Sequence, residues 1–317
     1  MNPGNESFVL VKPDGMARKL IPVIRELLRH SGLKIQCEHL LLITPDMVES
    51  LYEEHRGKDH FTQLPQFMSS RPLHVFRVCG HDAIRKVRSV VGKRFPPSGI
   101  RSVYAHSIMA NIAHSPDASE AFLRESRLLF SKGTTSMIKR VYLIGGMSEC
   151  GKSTVGKYLE AHHGISRLKI VTYLRQVQAT EGNSDEFYAW NDRAEKERPT
   201  WLYEQFVKAF LGNTTIERCA LESLYSPVFG QFVRQCLPEQ AVIVYVDVPQ
   251  DIRVERQMGR ANISSYEEAK VHLIQRDEVK RGWKTDHLKD IADIIIDNSG
   301  PIDHLYKQVD DMTNRYL

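Results

Sequence analysis

The chain has 317 residues, 42% of them hydrophobic and 26% charged, proportions that support packed cores and exclude a peptide hormone, a mini-protein or a wholly disordered chain. The length is about twice that of a usual domain and points to two domains. Lys+Arg 43 against Asp+Glu 39 leaves a formal net charge of +4, too small and dispersed for a nucleic-acid scaffold but suited to phosphorylated small molecules.

Short apolar runs alternate with helical patterns through the first half. A strand over Phe8–Val11, a helix over Ile21–His30, a strand over Leu33–Ile43 and a helix from Pro45 to Arg56 read as β-α-β-α. A strand at Leu73–Val78, a helix at Asp82–Val91 and a strand at Val103–His106 are expected to complete a mixed sheet, and a helix over Ala118–Phe130 ends the unit. Ser131–Lys139 is small, polar and aperiodic, so domains are expected at 1–135 and 136–317. The second half continues as strand (Val141–Ile144), helix (Lys152–His162), long helix (Thr200–Leu211), strand (Thr215–Leu221), helix (Pro227–Cys236) and strand (Val242–Val246). Strands alternating with helices imply a parallel α/β sheet.

Five cysteines without a CxxC pair fit reduced thiols and a cytoplasmic location better than disulfides or a zinc site. No apolar run reaches the roughly 18 residues that span a bilayer, and the polar start MNPGNES runs directly into FVLV. Neither a signal peptide nor a membrane anchor is expected.

Gly146-Met-Ser-Glu-Cys-Gly151-Lys152-Ser153-Thr154 stands between a strand and a helix and matches G-x-x-x-x-G-K-[ST]. Glycines let successive N–H groups wrap a phosphate chain, the helix N-terminus adds positive potential, Lys152 reaches the β- and γ-phosphates of ATP, and Ser153 holds Mg²⁺. Glu222 ends a strand where ligands of parallel sheets bind. Its carboxylate can steer a Mg²⁺-bound water or an acceptor hydroxyl, or can be a plain strand-ending polar group. Arg253, Arg256 and Arg260 recur at helical spacing and suit a lid that neutralises a transferring phosphoryl group, with solvated helix charges as the competing reading. Through the loop, IRVERQMGR and IADIIIDNSGPIDHLYKQV, residues 139–317 resemble the P-loop nucleoside and nucleotide kinase superfamily, near its adenylate-kinase-like and dephospho-coenzyme A kinase-like branches. The resemblance implies transfer of the ATP γ-phosphoryl group to a small, nucleoside monophosphate-like acceptor. Asp185, Glu186, Arg193 and Arg198 are the candidates for acceptor contacts.

In the first half, Lys12-Pro13-Asp14-Gly15 follows a strand, and Asn111-Ile-Ala-His114 precedes a helix, with Tyr52, Arg88 and Arg101 between. A lone histidine is usually structural; this one has company. The order and spacing resemble nucleoside diphosphate kinase over nearly all of residues 6–130. The resemblance implies a ferredoxin-like α/β sandwich, homo-oligomeric assembly and ping-pong phosphotransfer through a phosphohistidine. His114 matches the nucleophile, and an imidazole is mostly neutral at cytosolic pH and attacks without a separate base. Glu125 matches the glutamate behind it. Lys12, Tyr52, Arg88, Arg101 and Asn111 match the residues that hold phosphates and sugar, with Mg²⁺ bridging the phosphates. The chain departs from the family pattern at His60, where a phenylalanine stacks on the base, at Arg94, in place of a threonine, in the shorter segment Lys93–Ile100, and at His114-Ser-Pro-Asp117.

Two readings result. One is a bifunctional nucleotide kinase with both activities; the other is a P-loop small-molecule kinase whose first domain is a nucleotide sensor or oligomerisation module. A nucleotide-responsive regulator ranks behind both.

Overall fold

The computed structural model describes residues 3–93, 96, 98–130, 138–212 and 216–316, and the backbone of 135–136. The chain forms two compact units, Met1–Met137 with Val207–Thr215, and Ile138–Phe206 with Ile216–Leu317. No helix among the described residues is long and apolar enough to cross a membrane.

The first unit runs β1 (Glu6–Val11), α1 (Pro13–Ala17), α2 (Ile21–His30), β2 (Lys34–Leu41), α3 (Pro45–Leu51), α4 (Leu64–Met68), β3 (Leu73–Cys79), α5 (Ala83–Val91), α6 (Gly99–Tyr104), β4 (Ala113–His114), α7 (Ser119–Leu129) and β5 (Thr135–Ser136). α2 forms because Ile21, Ile24 and Leu28 fall on one face. α3 starts where the Thr44 side chain accepts from the Met47 N–H, with Pro45 in the first turn. The sheet has the order β4-β1-β3-β2-β5, and every pairing is antiparallel rather than the expected mixture. Phe8 and Leu10 on one face pack with Val75 against Val48 and Leu51 of α3, Met68 of α4 and Phe122 of α7. Val9 and Val11 are equally buried on the other face.

The strand expected at Val103–His106 is instead the end of α6 and the turn after it. Val103 is 71% exposed, so its single apolar side chain seeks no core, and the edge beside β1 is taken by Ala113–His114, paired with Val11 and Leu10. His114 therefore sits in a strand rather than after one.

The second unit runs β6 (Arg140–Gly145), α8 (Lys152–His163), β7 (Ser166–Lys169), α9 (Ile170–Thr180), α10 (Phe187–Glu197), α11 (Pro199–Gly212, assigned to this unit as far as Phe206), β8 (Arg218–Leu224), α12 (Pro227–Cys236), β9 (Ala241–Asp247), α13 (Gln250–Ala261), α14 (Tyr266–Gly282), α15 (Leu288–Ile291), β10 (Ile294–Asp297) and α16 (Ile302–Tyr316). Its sheet, ordered β10-β9-β6-β8-β7, is parallel throughout. β6 is first in the chain yet central, so its connections diverge and leave a crevice at its C-terminal end. There the register against β8 slips, from Ile144 opposite Glu222 to Gly145 opposite Leu224, and the extra residue, Ser223, has a φ of 71°.

Beside the Ile112 peptide the backbone approach is close at Gly15, where a Cβ would lie 2.7 Å from the Ile112 carbonyl oxygen and 2.8 Å from Val11 Cγ1. Gly15→Ala is expected to cost about 1–3 kcal/mol, read as a lowered urea midpoint; an unchanged midpoint would show that the approach is not a constraint.

Candidate functional site

The first site is assembled by a turn under strain. Ile112 is β-branched yet has a φ of 76°, an outlier for such a residue. It is held there from both sides: its carbonyl accepts from the Lys12 N–H at 2.8 Å, and its N–H donates to Asp14 Oδ2 at 2.9 Å. Arg101 adds three more bonds, to the carbonyls of Gly92 (3.1 Å), Asn111 (3.3 Å) and Ala113 (2.7 Å). The turn delivers Asn111 and His114 to one cavity of about 290 Å³, which Lys12, Tyr52, His60, Arg88 and Arg101 also line. Arg94 lies outside the described residues.

His114 Nε2 is 2.7 Å from Glu125 Oε2. A carboxylate there accepts a hydrogen bond from Nε2–H, which leaves the lone pair on Nδ1. The Tyr52 ring meets the imidazole edge-on at a centroid distance of 5.1 Å. The Tyr52 hydroxyl is buried without a partner, as are Asn111 Oδ1 and Ser115 Oγ, and burial pushes the Tyr52 phenol well up, so it stays a donor. Lys12, 3% exposed, donates to the Met109 carbonyl at 3.2 Å. Burial, then Arg101, pull it from 10.5 to about 7, against an opposing pull from Asp14. Such a pocket of cations and unpartnered donors around one free imidazole nitrogen is equipped to bind phosphates and pass a phosphoryl group. His60 stands at the mouth with His55, their rings 5.6 Å apart.

Three residues here carried no role on sequence grounds. Asp14 was visible within K-P-D-G, but its work on Ile112 depends on the fold. Arg124, between Glu54 at 3.2 Å and Glu125 at 3.5 Å, and His55 had no distinguishing pattern.

In the second unit, the turn Gly146–Gly151 joins β6 to α8. Gly151 is the N-cap of α8 with a φ of 97°, and a Cβ there would strike Asn298 Nδ2 at 2.2 Å. Lys152 curls into the turn, donating to the carbonyls of Gly146 (2.9 Å) and Met147 (2.8 Å). Asn298, just after β10, closes it by donating to the Cys150 carbonyl at 2.8 Å. Ser153 and Thr154 line a cavity of about 530 Å³ with Arg256, Arg260, Arg276 and Lys280. Ser153 Oγ lies 3.4 Å from Glu222 Oε2, and Glu222, 2% exposed, is also bound by Arg167 through both oxygens.

The three lid candidates separate. Arg256 reaches the turn, donating to the carbonyls of Asn298 (2.8 Å) and Glu149 (3.4 Å). Arg260 is exposed and donates to Glu149 Oε1 at 2.8 Å, which Arg276 also binds at 2.6 Å. Arg253 departs from its expected place: it is buried beneath the turn, pairing with Asp277 and donating to the Ser148 carbonyl at 3.2 Å. Burial would raise the Asp277 carboxyl, but Arg253 and Ser148 hold it below its ordinary value. Helical spacing located these arginines and could not tell which faced the cavity. Arg276 and Lys280 were missed because α14 carries no motif, and Asn298, although within IADIIIDNSGPIDHLYKQV, had nothing to single it out. The acceptor candidates are tied up on the surface, with Asp185 paired to Arg193, Arg198 to Glu181, and Glu186 capping α10.

A family model described as nucleoside diphosphate kinase matches residues 5–135. The nucleoside diphosphate kinase of Hyperthermus butylicus is 38% identical over 133 residues, 41% of this chain and 94% of that protein. That of Saccharolobus solfataricus is 37% identical over 130 residues, 40% and 94% respectively. A solved structure of Aquifex aeolicus nucleoside diphosphate kinase is 27% identical and covers 41% of this chain and 98% of that one, with a TM-score of 0.38. Through residues 5–135 the chain belongs to the nucleoside diphosphate kinase family.

Proposed function

We propose that the protein is a bifunctional nucleotide kinase. The first unit, a ferredoxin-like sandwich, exchanges γ-phosphoryl groups between nucleoside triphosphates and diphosphates through His114; the second, a P-loop kinase unit, transfers the ATP γ-phosphoryl group to a small acceptor. What carries the first half is the His114–Glu125 bond of 2.7 Å at the base of a cavity lined by Lys12, Arg88 and Arg101.

In the first half-reaction the Nδ1 lone pair of His114 forms the bond to Pγ while the bond from Pγ to the β–γ bridging oxygen breaks, and the diphosphate leaves. Glu125, accepting from Nε2–H, keeps that proton on the ring and balances the charge the ring gains. Lys12, Arg88 and Arg101 offset the charge that develops on the phosphate oxygens, and Asn111 and the Tyr52 hydroxyl offer neutral contacts. The second half-reaction reverses these steps onto another diphosphate.

In the second unit the wrapped turn, Lys152 and Arg256 bind the triphosphate. The Ser153 hydroxyl beside the Glu222 carboxylate is a hard-oxygen pair of the kind Mg²⁺ prefers; bound there, the ion would screen phosphate charge.

Wild-type protein incubated with γ-labelled ATP and Mg²⁺ is expected to hold acid-labile label that discharges onto GDP, and His114→Ala to lose it and at least about 10³-fold of the exchange rate. Wild-type protein that takes no label would favour the sensor or scaffold reading. Lys152→Ala should retain the label.

Lys12 gives the exchange a pH signature. Near pH 7 the free site begins to lose the Lys12 proton, whereas bound phosphate favours the ammonium. Binding then takes up a proton above about pH 7, and ADP affinity falls as pH rises, by up to about tenfold per unit. Calorimetry in buffers of different ionisation enthalpy reads the uptake directly, and proton release on binding would refute the assignment.

Glu149 competes for the arginines of the second unit. Glu149→Gln should tighten ATP about 3–10-fold by freeing Arg260 and Arg276; weaker ATP binding would mean that the carboxylate organises the site instead.

A further inference from the structure

Two cavities of the second unit share one wall. The cationic cavity of about 530 Å³ around the turn and a neighbouring cavity of about 360 Å³ are both lined by Lys280, together with Lys152, Ser223 and Arg276. The rest of the second cavity is largely apolar, with Ile170, Val171 and Leu174 of α9, Phe187 of α10 and Trp283 in its walls, and among the described residues no carboxylate lines it. Lys280 therefore stands between a phosphate-binding surface and an apolar one. It is half-buried rather than sealed, and so stays within reach of a molecule that enters either cavity.

The two lysines of this wall are not equivalent. Lys152 donates to the Gly146 and Met147 carbonyls at 2.9 and 2.8 Å and to Cys150 Sγ at 3.4 Å, three acceptors for the three N–H bonds of an ammonium group. Among the described residues Lys280 reaches one acceptor, at 3.4 Å, and that is the Gly146 carbonyl already bound by Lys152. The carboxylates at hand are taken, Asp277 by Arg253 and the Ser148 N–H, and Glu149 by Arg260 and Arg276. Burial, and then Lys152, bring the Lys280 amine from 10.5 down to about 7, while Cys150 and Asp277 pull the other way. Near neutral pH an amine of this kind has a free lone pair in a large share of molecules, whereas an ordinary lysine has one in on the order of one molecule in 10³.

We propose that Lys280 is a covalent modification site for acyl phosphates, with the phosphate bound at the turn by Lys152 and Arg276 and the acyl group lodged against the apolar wall. The two halves of such a molecule match the two surfaces that meet at the Lys280 amine. The Nζ lone pair forms the bond to the acyl carbonyl carbon, the bond from that carbon to the phosphate oxygen breaks, and the phosphate leaves with the electron pair. The proton lost from Nζ passes to the departing phosphate, and the products are an amide at Lys280 and hydrogen phosphate. Acylation removes one positive charge from both cavities and so weakens ATP at the turn. The site itself needs only the paired cavities, whereas this consequence rests on the P-loop kinase reading. Bound ATP in turn covers the amine and favours its ammonium form, so nucleotide and acylation exclude each other.

The test uses the full-length protein and acetyl phosphate near neutral pH, with the acetylation of each lysine followed over time by mass spectrometry. Lys280 should be acetylated at least about tenfold faster than the exposed Lys157 and Lys307, and saturating Mg-ATP should slow Lys280 at least about tenfold while leaving those two unchanged. With N-acetoxysuccinimide, an acyl donor that carries no phosphate, the preference for Lys280 should shrink at least about threefold. Treated wild-type protein should bind ATP about tenfold more weakly as Lys280 is consumed, and Lys280→Arg should bind ATP equally before and after treatment. Acetylation of Lys280 no faster than that of Lys157 and Lys307 overturns the proposal, as does an equal preference for Lys280 with the two acyl donors. Loss of ATP binding by treated Lys280→Arg overturns the link between acylation and nucleotide. Untreated protein that binds no ATP refutes the kinase reading instead, and the acetylation rates then still decide the site.

Discussion

The reactive geometry of the first unit depends on one peptide held where its side chain resists being. A β-branched residue at a φ of 76° is disfavoured by about 1–3 kcal/mol, so Ile112 stays there only because its surroundings over-determine it. The Lys12 N–H and the Asp14 carboxylate grip its two polar groups, Gly15 leaves room for its carbonyl, and Arg101 binds the carbonyls on either side. The turn reverses the chain between Asn111 and Ala113 and sets His114 at the edge of β1, within reach of Glu125 on α7. K-P-D-G and N-x-x-H are thus two halves of one mechanical unit. Three of the four residues in the first motif act on the backbone of the second, and only then does Lys12 also bring a charge to the cavity.

This explains what could be read from residues alone. Helices whose apolar positions share one face, such as α2, and the capped α12 were legible to their ends, because local periodicity and caps decide them. K-P-D-G, N-x-x-H and G-x-x-x-x-G-K-S were legible because each stretch is contiguous. Val103–His106 misled because an isolated valine followed by a tyrosine has strand propensity, and only its solvent exposure in α6 shows that no sheet edge was free to take it. The all-antiparallel pairing of the first sheet was hidden for a related reason: register between distant strands is set by which edge is left, not by either strand's composition. Arg253 misled because a salt bridge to Asp277 across 24 residues leaves no trace in spacing.

The parallel sheet of the second unit does by topology what the strained turn does in the first. A central first strand with diverging connections puts the loop after β6 and the end of β8 at the same crevice. Glu222, still in register opposite Ile144, faces Ser153 and Arg167, and the extra residue after it, Ser223, lines the cavity.

Both sites orient their cations in the same way. Lys12 and Arg101 in the first unit, and Lys152 and Arg256 in the second, donate to backbone carbonyls. A carbonyl dipole fixes the direction of a charged group but does not neutralise it, whereas a carboxylate does both. The buried carboxylates are paired with other side chains: Asp277 with Arg253, Glu222 with Arg167 and Glu125 with the imidazole. Glu149, a carboxylate inside a cationic cavity, takes the two outer arginines while leaving Lys152 to the turn. The inner cations therefore sit in burial without a carboxylate partner, which makes the charged form costly. That cost shows in the lowered proton affinity of Lys12 and Lys280, and an anion brought to either cavity would relieve it.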